Sequence, residues 1–310
     1  MTHRTEVQAT LTPSQYMPLL GKGMDVDWLK TGKGKDNYNA QTVKDFKAKG
    51  LSHVRIRIKD DANEALYRQL KTILDDCLKE NLIPIVAYQG NTFKNDPSLK
   101  NLDAVTQWWK TTAEQLKDYD AKVSFDLLIE VTDALNKNPE QLNNLYEKTV
   151  TEIRKTNPKR LIFISPRLRS SPEYLHELKI PTQHNGFLMA EWHFYAAGPS
   201  KDNANKKWTT GTAAEKKLIQ DKINLALDWQ KKTGLTTWVG AWMAGDYNDG
   251  DNYSVAEQVV FANFIACALD KAKIPYAVNS DTKFYDRAKN EWIQDMQSVL
   301  NAILKPKNCP

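Results

Sequence analysis

Four short apolar runs in this chain end in, or alternate with, side chains able to do chemistry. The run at 123–130 reads Val-Ser-Phe-Asp-Leu-Leu-Ile-Glu and leaves the carboxylate of Glu130 at its end. Further on, Glu191-Trp192-His193-Phe194-Tyr195 places Glu191, His193 and Tyr195 on one face of a strand and Trp192 and Phe194 on the other. Such a polar triplet is costly inside a protein unless it serves a site or is fully hydrogen-bonded. Residues 53–58 alternate basic and apolar positions, so Arg55 and Arg57 share a face; turned inward, they need carboxylate partners such as Glu130 or Glu191. The run at 238–243, Trp-Val-Gly-Ala-Trp-Met, offers nothing more reactive than Ala241 at the equivalent place. A carboxylic acid, an imidazole and a guanidinium converging from strand ends suit proton transfer in a cleft.

The elements that must position these groups follow from periodicity. Short runs rich in β-branched residues, at 21–26, 53–58, 83–88, 123–130, 161–165, 187–193, 237–241 and 276–279, alternate with longer helix-period segments. Those segments lie at 40–49, 63–80, 102–117, 139–156, 172–178, 213–233, 255–271 and 290–304. Thr212 with Glu215 and Ser254 with Glu257 fit capping boxes, and Gly50 and Gly234 sit where a left-handed helix cap is expected. Eight βα units predict an α/β fold, a single-domain (β/α)8 TIM barrel over residues 21–305, with an N-terminal extension at 1–20 and a tail at 306–310. An open doubly wound sheet is disfavoured because Gly21-Lys22-Gly23 is not continued into a phosphate-binding turn. The long aperiodic stretches 90–101, 196–211 and 244–253 all follow strands, on the face where barrel enzymes build their sites.

Composition narrows the functions. A net charge of +5 over 310 residues, with lysines scattered singly, argues against nucleic acid. No stretch approaches the length of a membrane span, and the first residues lack the apolar core of a signal peptide. The expectation is a soluble monomer, without metal or cofactor, exported only if a leader has been removed. Cys77 and Cys267 read as buried small hydrophobes, and Cys309 is placed to tie the tail to one of them. Zinc-hydrolase, serine-esterase and nucleotide motifs are absent. The acidic loop 246–251 has oxygen ligands enough for calcium, but its glycine falls out of the EF-hand position and a solvated turn is expected.

Taken together, the second, fourth, sixth and seventh strands resemble glycoside hydrolase family 5, the cellulase-like barrels, over most of the chain. The resemblance implies that Arg55 is the family's second-strand arginine, Glu130 its acid/base, His193 and Tyr195 its His-x-Tyr pair, and Ala241 the position of its nucleophile. It further implies a retaining endo-β-glucanase mechanism, in which two carboxylates about 5 to 5.5 Å apart respectively attack the anomeric carbon and shuttle the proton. The departures are as informative: Ile129 and Val131 replace the asparagine and proline that flank the acid/base, and alanine at 241 cannot attack.

The partner implied is an oligo- or polysaccharide. Trp28, Trp208 and Trp242 are expected to offer flat faces to sugar rings, with Tyr88, Gln89, Arg55, Glu191, His193 and Tyr195 completing the groove. Three functions remain open: a retaining glycosidase whose nucleophile is missing, by nature or by an introduced Glu→Ala; a glycan-binding pseudoenzyme; and an inverting glycosidase pairing Glu130 with Glu191, Asp246 or Asp281.

Overall fold

The computed structural model of the chain describes residues 10–194, 199–201, 208–248 and 250–309. Eight parallel strands close into a barrel in sequence order: β1 (Lys22–Leu29), β2 (His53–Ile58), β3 (Ile83–Tyr88), β4 (Ser124–Asp126), β5 (Ile162–Ile164), β6 (Leu188–His193), β7 (Thr236–Trp242) and β8 (Tyr276–Asn279). Helices pack around them: α1 (Pro13–Leu20), α2 (Ala40–Lys49), α3 (Glu64–Lys79), α4 (Leu99–Gln115), α5 (Pro139–Arg154), α6 (Ala213–Thr233), α7 (Val255–Ala272) and α8 (Gln297–Leu304). Both predicted capping boxes form at α6 and α7, and Gly50 and Gly234 take the left-handed caps.

Period-2 alternation divides the core in two. Outward side chains of the strands meet the helices in one large apolar layer. The inward side chains Ile83, Ile85, Phe163, Met189, Trp238 and Ala277 fill the barrel's lower half, and Tyr16 and Leu20 of α1 join them from below. Residues 13–20 therefore form the barrel floor, although the sequence reads them as an extension. His53 completes this layer, donating from Nδ1 to Leu20 O at 2.6 Å and accepting from Trp238 Nε1 at 3.1 Å. Burial pushes its imidazole down to about 4, so it is neutral.

Three expected elements change. The fourth strand stops at Asp126, not near 130, and the chain then turns so that Glu130 stands beyond the ladder at φ 49°, the left-handed region. Residues 172–177 make a 3-10 turn in place of a helix. The helix expected over 290–304 begins only at Gln297, because Glu291 and Trp292 pair with Tyr285 and Asp286 as a short hairpin and Trp292 stacks on Phe46. Cys309 is disulfide-bonded to Cys267 of α7, and Cys77 is free and buried. Among the described residues no helix is long and apolar enough to cross a membrane.

Candidate active site

The upper half of the barrel interior is a charged network centred on Arg55. In β1, Asp25 pairs in register with Arg55 of β2, and its carboxylate accepts from Arg55 Nε at 2.8 Å and Nη2 at 3.0 Å. Arg55 Nη1 donates to Asp126 Oδ2 at 3.3 Å and to Glu191. Glu191 also bonds His193 Nε2, and Ser170 Oγ lies 3.3 Å from its second oxygen. Arg55, Asp25, Asp126 and Glu191 are all at most 1% exposed. Buried charge is tolerated only when paired and hydrogen-bonded, and this geometry provides both.

Protonation follows from the packing. Burial pushes the Asp25 and Glu191 carboxyls up, but the cations beside them outweigh it and hold both below the ordinary value: Arg55 and Arg57 for Asp25, His193 and Arg55 for Glu191. Asp126 goes the other way, raised by burial and by the charge of Glu191, and is the protonated member. Burial works against charge on His193, yet Glu191 and Glu130 lift its imidazole to about 9.

His193 carries the network up to the mouth. Its Nδ1 lies 3.5 Å from Glu130 Oε1, and the Glu130 side chain is 23% exposed. Burial raises the Glu130 carboxyl, while His193, then Arg55 and Arg169, more than offset it and hold the group below its usual value. The strained backbone at Glu130 is fixed on both sides. Ile129 N donates to Tyr88 O at 3.0 Å, Lys94 Nζ donates to Ile129 O at 2.6 Å, and Arg169 N donates to Val131 O at 2.8 Å.

Ala241 lies next to the last residue of β7. Trp238 and Val239 follow ordinary alternation, but between the pairs Val239↔Tyr276 and Trp242↔Val278 two residues of β7 oppose the single Ala277 of β8. This bulge turns both Gly240 and Ala241 inward, and Ala241 pairs with His193. A Cβ on Gly240 would stand 1.8 Å from Glu191 Oε1, so the space beside Gly240 is filled by the Glu191 carboxylate reaching across from β6.

The structure brings Arg55, Glu130, Glu191, His193 and Ala241 together at one end of the barrel, with Arg55 and Glu191 buried. Tyr88 stacks on Trp108 with centroids 4.1 Å apart, and Gln89 is nearly buried. Tyr195 lies outside the described residues.

The expected tryptophan platforms are corrected. Trp28 packs under α2 against Tyr38 and Phe46, Trp208 against Phe261 and Phe264, and Trp242 against Phe261 and Tyr276; all are at most 1% exposed. Their strand and loop positions point them at the helical layer, not the mouth. Asp246 and Asp281, the alternative bases, are also at most 1% exposed. Among the described residues no three His, Cys, Asp or Glu side chains are grouped to hold a metal, and Asp251 pairs with Lys283 at 2.7 Å. Asp25, Asp126 and Lys94 were missed, though Asp25 and Asp27 alternate on β1 just as Arg55 and Arg57 do on β2.

A closed parallel barrel with an acid–imidazole–arginine network at the C-terminal strand ends defines a glycosidase-type (β/α)8 protein. Residues 15–282 match the profile of the cellulase family, glycosyl hydrolase family 5, and the chain belongs to that family of enzymes hydrolysing O-glycosyl bonds. It is 21% identical over 280 residues to endoglucanase H of Acetivibrio thermocellus, covering 86% of this chain and 30% of that protein. The chain therefore spans about a third of that relative's length. Among solved structures, endoglucanase Cel5A from Thermotoga maritima superposes with a TM-score of 0.82 at 20% identity, covering 94% of this chain and all of the other. A hyperthermophilic endo-beta-1,4-glucanase in complex with substrate gives 0.80 at 21% identity, covering 95% and 99%.

Proposed function

We propose that this chain binds a β-linked polysaccharide across the mouth of the barrel, with Glu130 as proton donor and with the attacking carboxylate of a retaining glycosidase missing at Ala241. The observation carrying this reading is the exposure pattern. Of Glu130, Glu191, Asp246 and Asp281, only Glu130 reaches the surface of the mouth. A retaining displacement needs a second carboxylate about 5 to 5.5 Å away, and an inverting one needs a base with room for water at about 6.5 to 9.5 Å. Neither is supplied by a side chain sealed from solvent. The endoglucanase relatives favour a β-1,4-glucan backbone.

Glu130 is equipped for its part. His193, charged across the neutral range, and the pinned carbonyl of Ile129 fix its carboxyl in the opening. The chain then holds a sugar but forms no glycosyl-enzyme bond; Glu130, ionised at rest beside the charged His193, protonates a leaving oxygen only after taking up a proton, so such activity should rise as pH falls.

The test is azide rescue. With an aryl β-glycoside, azide attacks the anomeric carbon from the side of Ala241 as the aryloxide leaves, giving the α-glycosyl azide and the phenol. Ala241→Glu should in turn create a retaining hydrolase. If azide and Ala241→Glu are both inert while β-glucan binds, the chain is a glycan-binding barrel; if no β-glycan binds, the proposal fails.

A further inference from the structure

Around Glu130 cations come from several strand ends: Lys30 just past β1, Arg57 in β2 and the exposed Arg169 after β5, while Lys94, in the short helix after β3, is buried and donates to Ile129 O. They stand close enough to act on one another electrostatically. Burial first, and then the Arg57 guanidinium, push the Lys30 ammonium down, while Glu130 acts on both Lys30 and Lys94. Arg169 acts on Glu130 in turn.

Little negative charge is left to balance them. Asp25 is occupied by Arg55 and lies 3.6 Å from Arg57 Nε. Asp27 is held by Arg287 at 2.5 Å and Asp60 by Lys35. What remains beside these cations is Glu130 itself, the exposed Asp61 and Asp133, and the buried Asp281, which lies 3.5 Å from Arg287 Nε and close enough to Arg57 to feel its charge. The Lys30 ammonium and the Arg169 guanidinium form no hydrogen bond or ion pair among the described residues, and Arg57 uses only Nε, donated to Val26 O at 3.2 Å.

Arg169 is presented by a segment held in an unfavourable conformation. Leu168, Arg169 and Ser170 all have left-handed φ, between 54° and 59°. Non-glycine residues in that region cost of order 1 kcal/mol each and persist where the surroundings impose them. Here Leu168 N donates to Asn136 Oδ1 at 2.7 Å and Arg169 N to Val131 O, so the loop is tied down beside Glu130. Among the described residues no tryptophan offers a flat face at the mouth. Eight of the nine tryptophans are buried, and the ninth, Trp292, packs on Phe46 at the outer face of the barrel.

We infer that the glycan accepted by this mouth is anionic, carrying carboxylate or sulfate groups that Lys30, Arg57 and Arg169 neutralise. Like charges assembled at the rim of a low-dielectric cleft repel one another until an anion enters, and they focus a field that draws one in. Charge thus takes the part that ring stacking has in a neutral-sugar groove. The inference rests on the proposed polysaccharide reading and specifies its substrate class.

Three polymers sharing one β-1,4-glucan backbone test it: hydroxyethyl cellulose, which is neutral, carboxymethyl cellulose and cellulose sulfate. At about 20 mM salt, binding to at least one anionic polymer should be tenfold or more tighter than to the neutral one, with the gap closing at about 0.5 M salt as the rim is screened. Which of the two binds better identifies the anion. Because the whole chain is basic, a charge-matched control is required. Lys30→Gln with Arg169→Gln should lose most of the preference, whereas Lys305→Gln with Lys307→Gln, exposed residues near the tail, should keep it. Equal binding of neutral and anionic polymers overturns this inference and leaves the polysaccharide reading standing. An equal loss in both double variants overturns it too, as non-specific attraction. Binding to none of the three polymers removes the polysaccharide reading itself.

Discussion

Asp281 offers the sharpest quantitative test of the buried electrostatics. Its carboxyl is fully buried just after β8, both oxygens lack hydrogen-bond partners among the described residues, and Arg287 Nε stands 3.5 Å away. Burial raises the group from 3.8 to about 6, against the pull of Arg287. At about 1.36 kcal/mol per pKa unit, holding it ionised in the folded protein costs about 3 kcal/mol. Between pH 3.8 and about 6 the folded state keeps a proton that the unfolded chain releases, so this contribution to stability falls as pH rises through that window. Asp281→Asn removes the titration while forfeiting the contact with Arg287, which retains Asp27. The net gain expected at pH 8 is about 1 to 3 kcal/mol, or about 2 to 5 °C in Tm for a chain of this length. Thermal unfolding of both proteins at pH 8 and pH 4.5 measures it, and the gain should shrink at the lower pH. A variant less stable at pH 8, or a difference independent of pH, would refute the claim that Asp281 is a desolvated, destabilising acid.

Two further changes probe the scaffold. Gly240→Ala places a Cβ 1.8 Å from Glu191 Oε1 and must push that carboxylate off Arg55, so urea unfolding should show a loss of about 3 to 5 kcal/mol; a near-neutral substitution would mean that Glu191 has room to move. Reducing the Cys267–Cys309 bond, which spans 42 residues, should lower stability by about 2 to 4 kcal/mol while leaving glycan binding at the mouth unchanged; calorimetry with and without reductant, beside a binding assay, checks both halves.

Much of the barrel was legible because its signals are local. Strands β2, β3, β6 and β8 end where alternation breaks, and the capping boxes of α6 and α7 stand in the sequence as written. The fourth strand misled because Leu127, Leu128 and Ile129 are all buried, so an apolar run continues after the ladder has stopped. The tryptophans misled for a related reason. Composition reveals a large flat side chain near a strand end, but the face to which it turns is set by register and by the bulge in β7. Arg55, His193 and Glu130 were readable as a set because buried charges demand partners. Lys94 was not, since a lysine in a loop carries no mark of what its ammonium will meet in the fold.

Arg55 also bears on how the barrel closes. Its guanidinium joins β2 to β1 through Asp25, to β4 through Asp126 and to β6 through Glu191, and so ties together strands from both halves of the chain. A fragment ending after β4 would carry the arginine without Glu191, and one beginning at β5 would carry Glu191 and His193 without their guanidinium. Each half taken alone leaves ionisable groups in its interior short of a counterion, so neither is a self-sufficient folding unit. Assembly in which one half waits for the other concentrates the free-energy gain in the final closure, and unfolding of this chain is accordingly expected to be a single cooperative step.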